Sequence, residues 1–314
     1  MRGRHRTPAR RLAPARKAAT EGNIMTTIRQ AALAGWLAAG AAMAALAAHP
    51  AYAAQPDDDP SKVARWLDFK EGMFKGRPVD ARGDAVIRLE APARAADAAV
   101  VPISIAAQFP QTPSHYIRKI YLFIDENPEP YAGSFEFTPE SGLASIETRV
   151  RVEDYTFMRA IAETNDGRLY SSVRFVKASG GCSAPAGKDD AAAEASAGSV
   201  RLTPEGQAVA GRPQLAQLMV RHPNRTGMAM NQITRNYATA YFIRKVTVSY
   251  ADKPVMIADV NFSISENPNF RFYFVPRTSG ELKAHVEDTK NRKFDGAVAV
   301  NPQPAAQQTS STKL

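Results

Sequence analysis

From Asp84 onward the chain alternates apolar and polar residues, as in Ala85, Val86, Ile87, Arg88 and Leu89, and then runs apolar from Val100 to Ala106. A period of two sends successive side chains to opposite faces, which marks strands with one face buried. Ile117, Ile120, Leu122 and Ile124 are the core positions this pattern predicts in the next strand. Pro and Gly recur between the runs, and no long segment keeps helical spacing. Only Val63 to Phe69, with Trp66, reads as a short helix. The predicted class is all-β.

The pattern also repeats. His115 to Ile120 reads HYIRKI and Tyr241 to Val246 reads YFIRKV; Glu126 to Pro128 and Glu266 to Pro268 both read ENP. Arg159 to Tyr170 (RAIAETNDGRLY) corresponds to Lys283 to Phe294 (KAHVEDTKNRKF). The three matches keep their order, so two copies of one fold are expected, each a strand-and-turn array of about a hundred residues. Such an array fits an immunoglobulin/fibronectin-like β-sandwich, without the paired cysteines of an antibody domain. The predicted organisation is one sandwich over residues 60–178, a second over 200–302 and a disordered tail over 303–314.

Between the halves, residues 179–199 turn to Ala, Gly, Ser, Asp and Lys, with almost nothing to bury. They are expected to form a flexible linker. Cys182 lies near its start, after Gly180 and Gly181, and is the chain's one cysteine.

Length and charge refine the picture. At 314 residues the chain can fill two cores without disulfides or metals. Its formal charge of +9 suggests nucleic acid, but residues 1–53 hold eight basic residues against Glu21 alone, leaving the rest close to neutral. No nucleic-acid partner is expected. Those first residues have a basic start, an uncharged run from Ala31 to Ala48 and an A-x-A site at Ala51 to Ala53, the layout of a cleaved export signal. Met25 is the expected true start. A retained anchor is the competing reading, since the run is just long enough to span a bilayer. After cleavage, no stable membrane insertion is expected, and the protein would be periplasmic.

Export places Cys182 in an oxidising compartment, where a single cysteine is buried and inert, paired with another molecule, or reactive. The sequence SGGCSAPAG around it has no bulky neighbour, and an unperturbed thiol is only a few per cent ionised at neutral pH. Lys177 and Lys188 favour the anion slightly, while Asp189 and Asp190 oppose it. Any strong activation would come from a partner. The competing reading makes Cys182 an incidental linker residue.

The first half resembles SoxY, the substrate carrier of bacterial thiosulfate oxidation, from about Trp66 to Cys182. The resemblance rests on LEAPARAADAAVVPISI (Leu89 to Ile105), ENPEPYAGSFEF (Glu126 to Phe137), TRVRV (Thr148 to Val152), AIAETNDG (Ala160 to Gly167) and the closing GGC. The second half resembles SoxZ, its companion, from about Gln217 to Val300. It carries HPNRTG (His222 to Gly227), YFIRKV, ISENPNFRFYF (Ile264 to Phe274) and the segment around Glu287 and Asp288. The fused arrangement resembles the SoxYZ-like carriers associated with quinoprotein dehydrogenases.

This resemblance implies a non-catalytic carrier that holds a thiosulfate-type sulfur intermediate covalently on Cys182, with Gly180 and Gly181 as the hinge of a swinging arm and no other cofactor. The implied partners are periplasmic redox enzymes, Sox-type or a PQQ-dependent dehydrogenase with cytochrome c, and the two halves are expected to pair within the chain. The alternative is a non-covalent accessory that docks on a quinoprotein dehydrogenase. One departure stands out: the family's cysteine lies on a free tail with glycines after it, whereas Ser183, Ala184 and Pro185 follow here and the chain continues. A partner pocket must then accept a loop, or the linker must be cut.

Other motifs weigh less. His115, His222 and His285 lack metal-ligand spacing, so no metal site is expected. His222, before Pro223, reads as shaping a turn or a domain contact, and Arg82 to Asp84 (RGD) as a strand-entry turn. Asn224 and Asn261 match the N-x-[ST] glycosylation pattern, which often occurs by chance.

Overall fold

The computed structural model of the protein describes residues 58–184, 190–230 and 235–305. The leader expected over 1–53, linker residues 185–189 and the tail beyond 305 lie outside the described residues. The first half is built from β1 (Val79–Asp80), β2 (Ile87–Glu90), β3 (Val101–Ala107), β4 (Ile117–Ile124), β5 (Tyr131–Phe137), β6 (Ser145–Val150), β7 (Thr156–Thr164) and β8 (Leu169–Val176). The second comprises β9 (Val200–Pro204), β10 (Gln214–Val220), β11 (Ile243–Tyr250), β12 (Lys253–Val260), β13 (Asn269–Phe274), β14 (Gly280–Asp288) and β15 (Lys293–Val300). Helix α1 (Ala64–Phe74) precedes the strands, and α2 (Asp190–Ala195) lies in the linker.

The repeat in the sequence is a repeat of strands. HYIRKI enters β4 at the same residue as YFIRKV enters β11, and both strands shift register at the same place, Ile117 to Lys119 and Ile243 to Lys245. The third match spans the β7–β8 and β14–β15 hairpins in identical register. The ENP triplets, in contrast, are not equivalent. The first lies in the β4–β5 connection and the second in the β12–β13 connection, so their shared order along the chain does not reflect a shared place in the fold.

Each half is a two-layer β-sandwich, as the strand pattern predicts, and the two join edge to edge. One sheet runs β1-β8-β7-β4-β5-β12-β11-β14-β15 and the other β2-β3-β6-β13-β10-β9. Equivalent strands meet at the seam: β5 pairs antiparallel with β12 from Phe137↔Met256 to Gly133↔Val260, and β6 with β13 at Glu147↔Arg271 and Ile146↔Phe272. The junction therefore has pseudo-two-fold symmetry, and it consumes four strand edges that would otherwise be open to pairing with other chains. At Gly133, with φ +154°, an added Cβ would lie 2.7 Å from the Asp259 carbonyl oxygen, so glycine is what lets β5 and β12 approach. Arg271 fastens the other sheet, bonding Glu147 across the seam and Glu205 of its own half. A single hydrophobic core fills the space between the layers from Ile87 to Val300, with Phe135 and Phe270 edge to face across the seam at 6.4 Å. The four predicted core residues of β4 are all fully buried.

The outer face of the large sheet differs between the halves. Trp66 and Phe74 of α1 pack on Phe123, Ile161 and Leu169 in a second apolar cluster, which is why all nine residues of β7 are buried. Arg159 lies under this helix, stacked 4.7 Å from the Trp66 ring and paired with Asp125 at 2.5 Å, both side chains 2% exposed. By the repeat register, Thr247, Ser249 and His285 occupy the places of Tyr121, Phe123 and Ile161. These polar residues need no helical cover. The helix predicted from Val63 to Phe69 thus extends to Phe74, because its apolar stripe has an aromatic face to meet.

Candidate functional site

The site lies where the chain leaves the first half. The segment after β6 is fixed by Asn127, which is fully buried. Its Nδ2 donates to the Arg151 carbonyl at 2.9 Å and to Ser263 Oγ at 3.2 Å, and its Oδ1 accepts from the Glu153 amide at 2.9 Å. The Arg151 amide donates to the Ser263 carbonyl at 2.7 Å. The segment is therefore tied to both halves.

Against it lies the turn that carries the cysteine. After β8, Lys177 bridges to Arg94. Gly180 then donates its amide to the Glu153 carbonyl at 2.8 Å, and Gly181 to the Val152 carbonyl at 2.9 Å. The Glu153 carboxylate clasps the next residues, accepting from the Cys182 amide (2.8 Å), the Ser183 amide (3.1 Å) and Ser183 Oγ (2.8 Å). From the second half, Thr226 Oγ1 donates to the Cys182 carbonyl at 2.7 Å.

Thr226 is held there by the HPNRTG segment. The Asn224 amide donates to His222 Nδ1 at 3.1 Å, its Nδ2 to the Ile264 carbonyl at 2.7 Å, and its Oδ1 accepts from the Ile243 amide at 2.8 Å. With Nδ1 accepting, neutral His222 carries its proton on Nε2, which faces Asp288 Oδ2 at 3.7 Å. Both side chains are fully buried, and burial pushes the imidazole below its ordinary pKa despite the nearby carboxylate. Asn224 is thus a structural residue, buried at both ends of its amide and unavailable as a glycan acceptor. Asn261 likewise donates to the Tyr131 carbonyl at 2.6 Å.

These contacts correct the expectation of a free, hinged arm. Cys182 is 1% exposed. Burial is the main force pushing its thiol up to about 12, with the Glu153 charge adding to it and the Arg151 charge opposing it. The bias against the thiolate is about 4 kcal/mol at 1.36 kcal/mol per pKa unit. Among the described residues, Glu153 and Arg151 are the charges that act on this sulfur, and Lys177 is not one of them. Gly181 is a packing glycine rather than a hinge: an added Cβ would lie 2.6 Å from the Val152 carbonyl oxygen and closer still to that of Ala98. Gly180, at φ +79°, has open space around its Cα and makes the bend.

The far end of the linker is anchored as well. Glu194 of α2 pairs with Arg225 at 2.6 Å and with Lys290, and the Ala197 carbonyl accepts from Arg292 at 3.0 Å. The RGD residues make a 3-10 turn over Gly83–Ala85 in which Asp84 accepts from Ser172 and Arg174.

Sequence reasoning located Cys182 but missed Asn127, Arg151, Glu153 and Thr226. Three signals were present: Asn127 belongs to an ENP triplet, Arg151 to TRVRV and Thr226 to HPNRTG. Nothing in the order of residues, however, connects position 153 or 226 to 182. Among the described residues no helix is long and apolar enough to cross a membrane, and no cluster of His, Cys, Asp and Glu is arranged to hold a metal.

Comparison with known proteins bears on this turn directly. Residues 71–182 match the family described as sulfur oxidation protein SoxY, and residues 200–299 match sulphur oxidation protein SoxZ. The first match ends at Cys182. The structure of the sulfur carrier protein SoxY from Chlorobium limicola f thiosulfatophilum is 24% identical, covering 36% of this chain and 91% of its own, with a TM-score of 0.29. A superoxide reductase (neelaredoxin) from Ignicoccus hospitalis is 17% identical, covering 33% of this chain and 97% of its own, with a TM-score of 0.29. No curated protein matches the chain.

Proposed function

We propose that this chain, which belongs to the SoxY and SoxZ sulfur-oxidation carriers and joins both domains in one polypeptide, holds a thiosulfate-derived group covalently on Cys182 in the periplasm and presents it to redox enzymes. The observation that carries the reading is the position of Cys182: it closes the SoxY match, and the one turn that holds it touches both halves. Loading with thiosulfate forms a sulfur–sulfur bond, Cys–S⁻ + S–SO3²⁻ giving Cys–S–S–SO3⁻, and releases two electrons. The acceptor is a partner's redox centre, of haem or quinone type. The chain itself binds and presents.

For loading, the thiol must leave its seat. The turn from Gly180 to Ser183 buries a single small side chain and is held by hydrogen bonds worth about 1 kcal/mol each, so opening it costs a few kcal/mol, well below global unfolding. Tetrathionate tests the reading without a partner, because it carries its own oxidising equivalents: Cys–SH + S4O6²⁻ gives Cys–S–S–SO3⁻ + S2O3²⁻ + H⁺. Mass spectrometry of the folded protein should find one such adduct, on Cys182, and none in Cys182→Ser. A folded chain that stays unmodified, while the denatured chain reacts, would remove the support for this function.

The burial of Cys182 favours a second reading, in which the fused sandwich is a non-covalent accessory of a periplasmic quinoprotein dehydrogenase. On that reading Cys182→Ser supports the dehydrogenase as well as the native chain does. On the carrier reading it does not.

A further inference from the structure

Two arginines are buried among the described residues, and one of them, Arg159, has a carboxylate to meet in Asp125. Arg151 does not. It is 8% exposed, and among the described residues no carboxylate lies within ion-pair distance of it. Its Nη1 is occupied by backbone carbonyls, Phe262 at 2.8 Å and Ile264 at 2.6 Å, while Nε and Nη2 donate to no described residue. A guanidinium at that depth without an ion pair is costly, and an anion that reached its open N–H groups would offset that cost.

The position of Arg151 indicates the anion. The residue after it receives the Gly181 amide, and the one after that clasps Cys182. Burial lowers the pKa of Arg151; a charge on Cys182 is the largest influence opposing that shift, followed by Glu266. Glu153, the other charge felt by the thiol, already has its carboxylate engaged by three donors.

We infer that Arg151 is the anion-recognising group of this carrier, pairing through its free N–H fork with the sulfonate end of the adduct on Cys182. The inference rests on the reading of Cys182 as the carrier thiol. Two parallel N–H···O bonds to a sulfonate match the planar geometry of the guanidinium, which a lysine reproduces only as a point charge. In the bare carrier the Nε and Nη2 of Arg151 have no acceptor among the described residues, and the adduct supplies one. Sulfonate-terminated adducts are selected over neutral ones, and the charged cargo is protected while the turn is closed.

Two adducts on the full chain test this. Tetrathionate supplies the anionic Cys–S–S–SO3⁻. Methyl methanethiosulfonate supplies the neutral Cys–S–S–CH3, with methanesulfinic acid as the leaving product. The anionic adduct should melt several degrees higher than the neutral one, and folding should slow its release by dithiothreitol, relative to the denatured chain, about tenfold more than folding slows release of the neutral adduct, the size of one charge-assisted bond. Arg151→Gln should abolish both differences and Arg151→Lys should retain part of them. If Arg151→Gln fails to fold, the comparison of the two adducts on the native chain still decides. Equal melting and equal protection by folding, or an anionic adduct that destabilises more than the neutral one, overturns the role of Arg151. Failure of tetrathionate to load the folded chain overturns the carrier reading itself.

Discussion

Replacing Gly181 by alanine separates a seat from a hinge. On a free arm the change is nearly silent, because Gly181 does not use a left-handed φ and alanine tolerates its backbone. In the seated turn the new methyl carbon lies 2.6 Å from the Val152 carbonyl oxygen and closer to that of Ala98. Ordinary contact begins near ~3.4 Å, and both obstructions are backbone atoms in a packed interior that cannot rotate aside, so the turn must move by about 1 Å or more. It then loses the bonds to Val152 and Glu153 and exposes the sulfur. The thiol falls from about 12 toward the free value of ~8.5, which raises the thiolate fraction near pH 7.5 by roughly three orders of magnitude. Spontaneous opening of the native turn already provides a slow route, so an observed gain of about a hundredfold is expected. Pseudo-first-order alkylation with iodoacetamide, followed by intact mass, measures it. Alkylation within about threefold of the native rate, with an unchanged melting temperature, would refute the seat.

Acid should weaken the fold through His222. Burial holds its folded pKa below the unfolded value of about 6.5, so the unfolded chain binds the proton more tightly. This contribution is complete above that pH and is lost as pH falls below it, at up to about 1.4 kcal/mol per pH unit. Urea melts between pH 7.5 and 5 should show the loss, and His222→Gln should remove it; an unchanged slope would rule His222 out as its source. Asn127→Ala leaves the Arg151 carbonyl and the Glu153 amide without their bonds. It should cost about 3 kcal/mol in denaturant melts and speed alkylation of Cys182. A neutral substitution would show that the segment under the turn is held by other contacts.

The class and the repeat were legible in the sequence because both depend on local order. Alternation with period two fixes which residues of β4 enter the core, and two copies of one strand pattern show themselves wherever they fold. HYIRKI and YFIRKV even carry the same register shift. The reach of α1 to Phe74 was less visible, since it depends on an aromatic face that Phe123 and Tyr121 present from another element.

Cys182 was identifiable from sequence for the same local reason: it is a lone thiol in a glycine-rich stretch. Its environment was not. A stretch with little of its own to bury can still be buried, because hydrogen bonds to Glu153 and from Thr226, residues distant in the chain, hold its backbone. The seam between the halves belongs to the same category. Strand pattern predicts a sandwich but not what its edge strands pair with, and here β5 finds its counterpart β12 and β6 finds β13. Sequence determined which residues alternate, repeat and carry the sulfur; tertiary structure decided how tightly that sulfur is held and which charges it feels. Electrostatics and packing act through space, and the distances that set them are created only when the chain closes on itself.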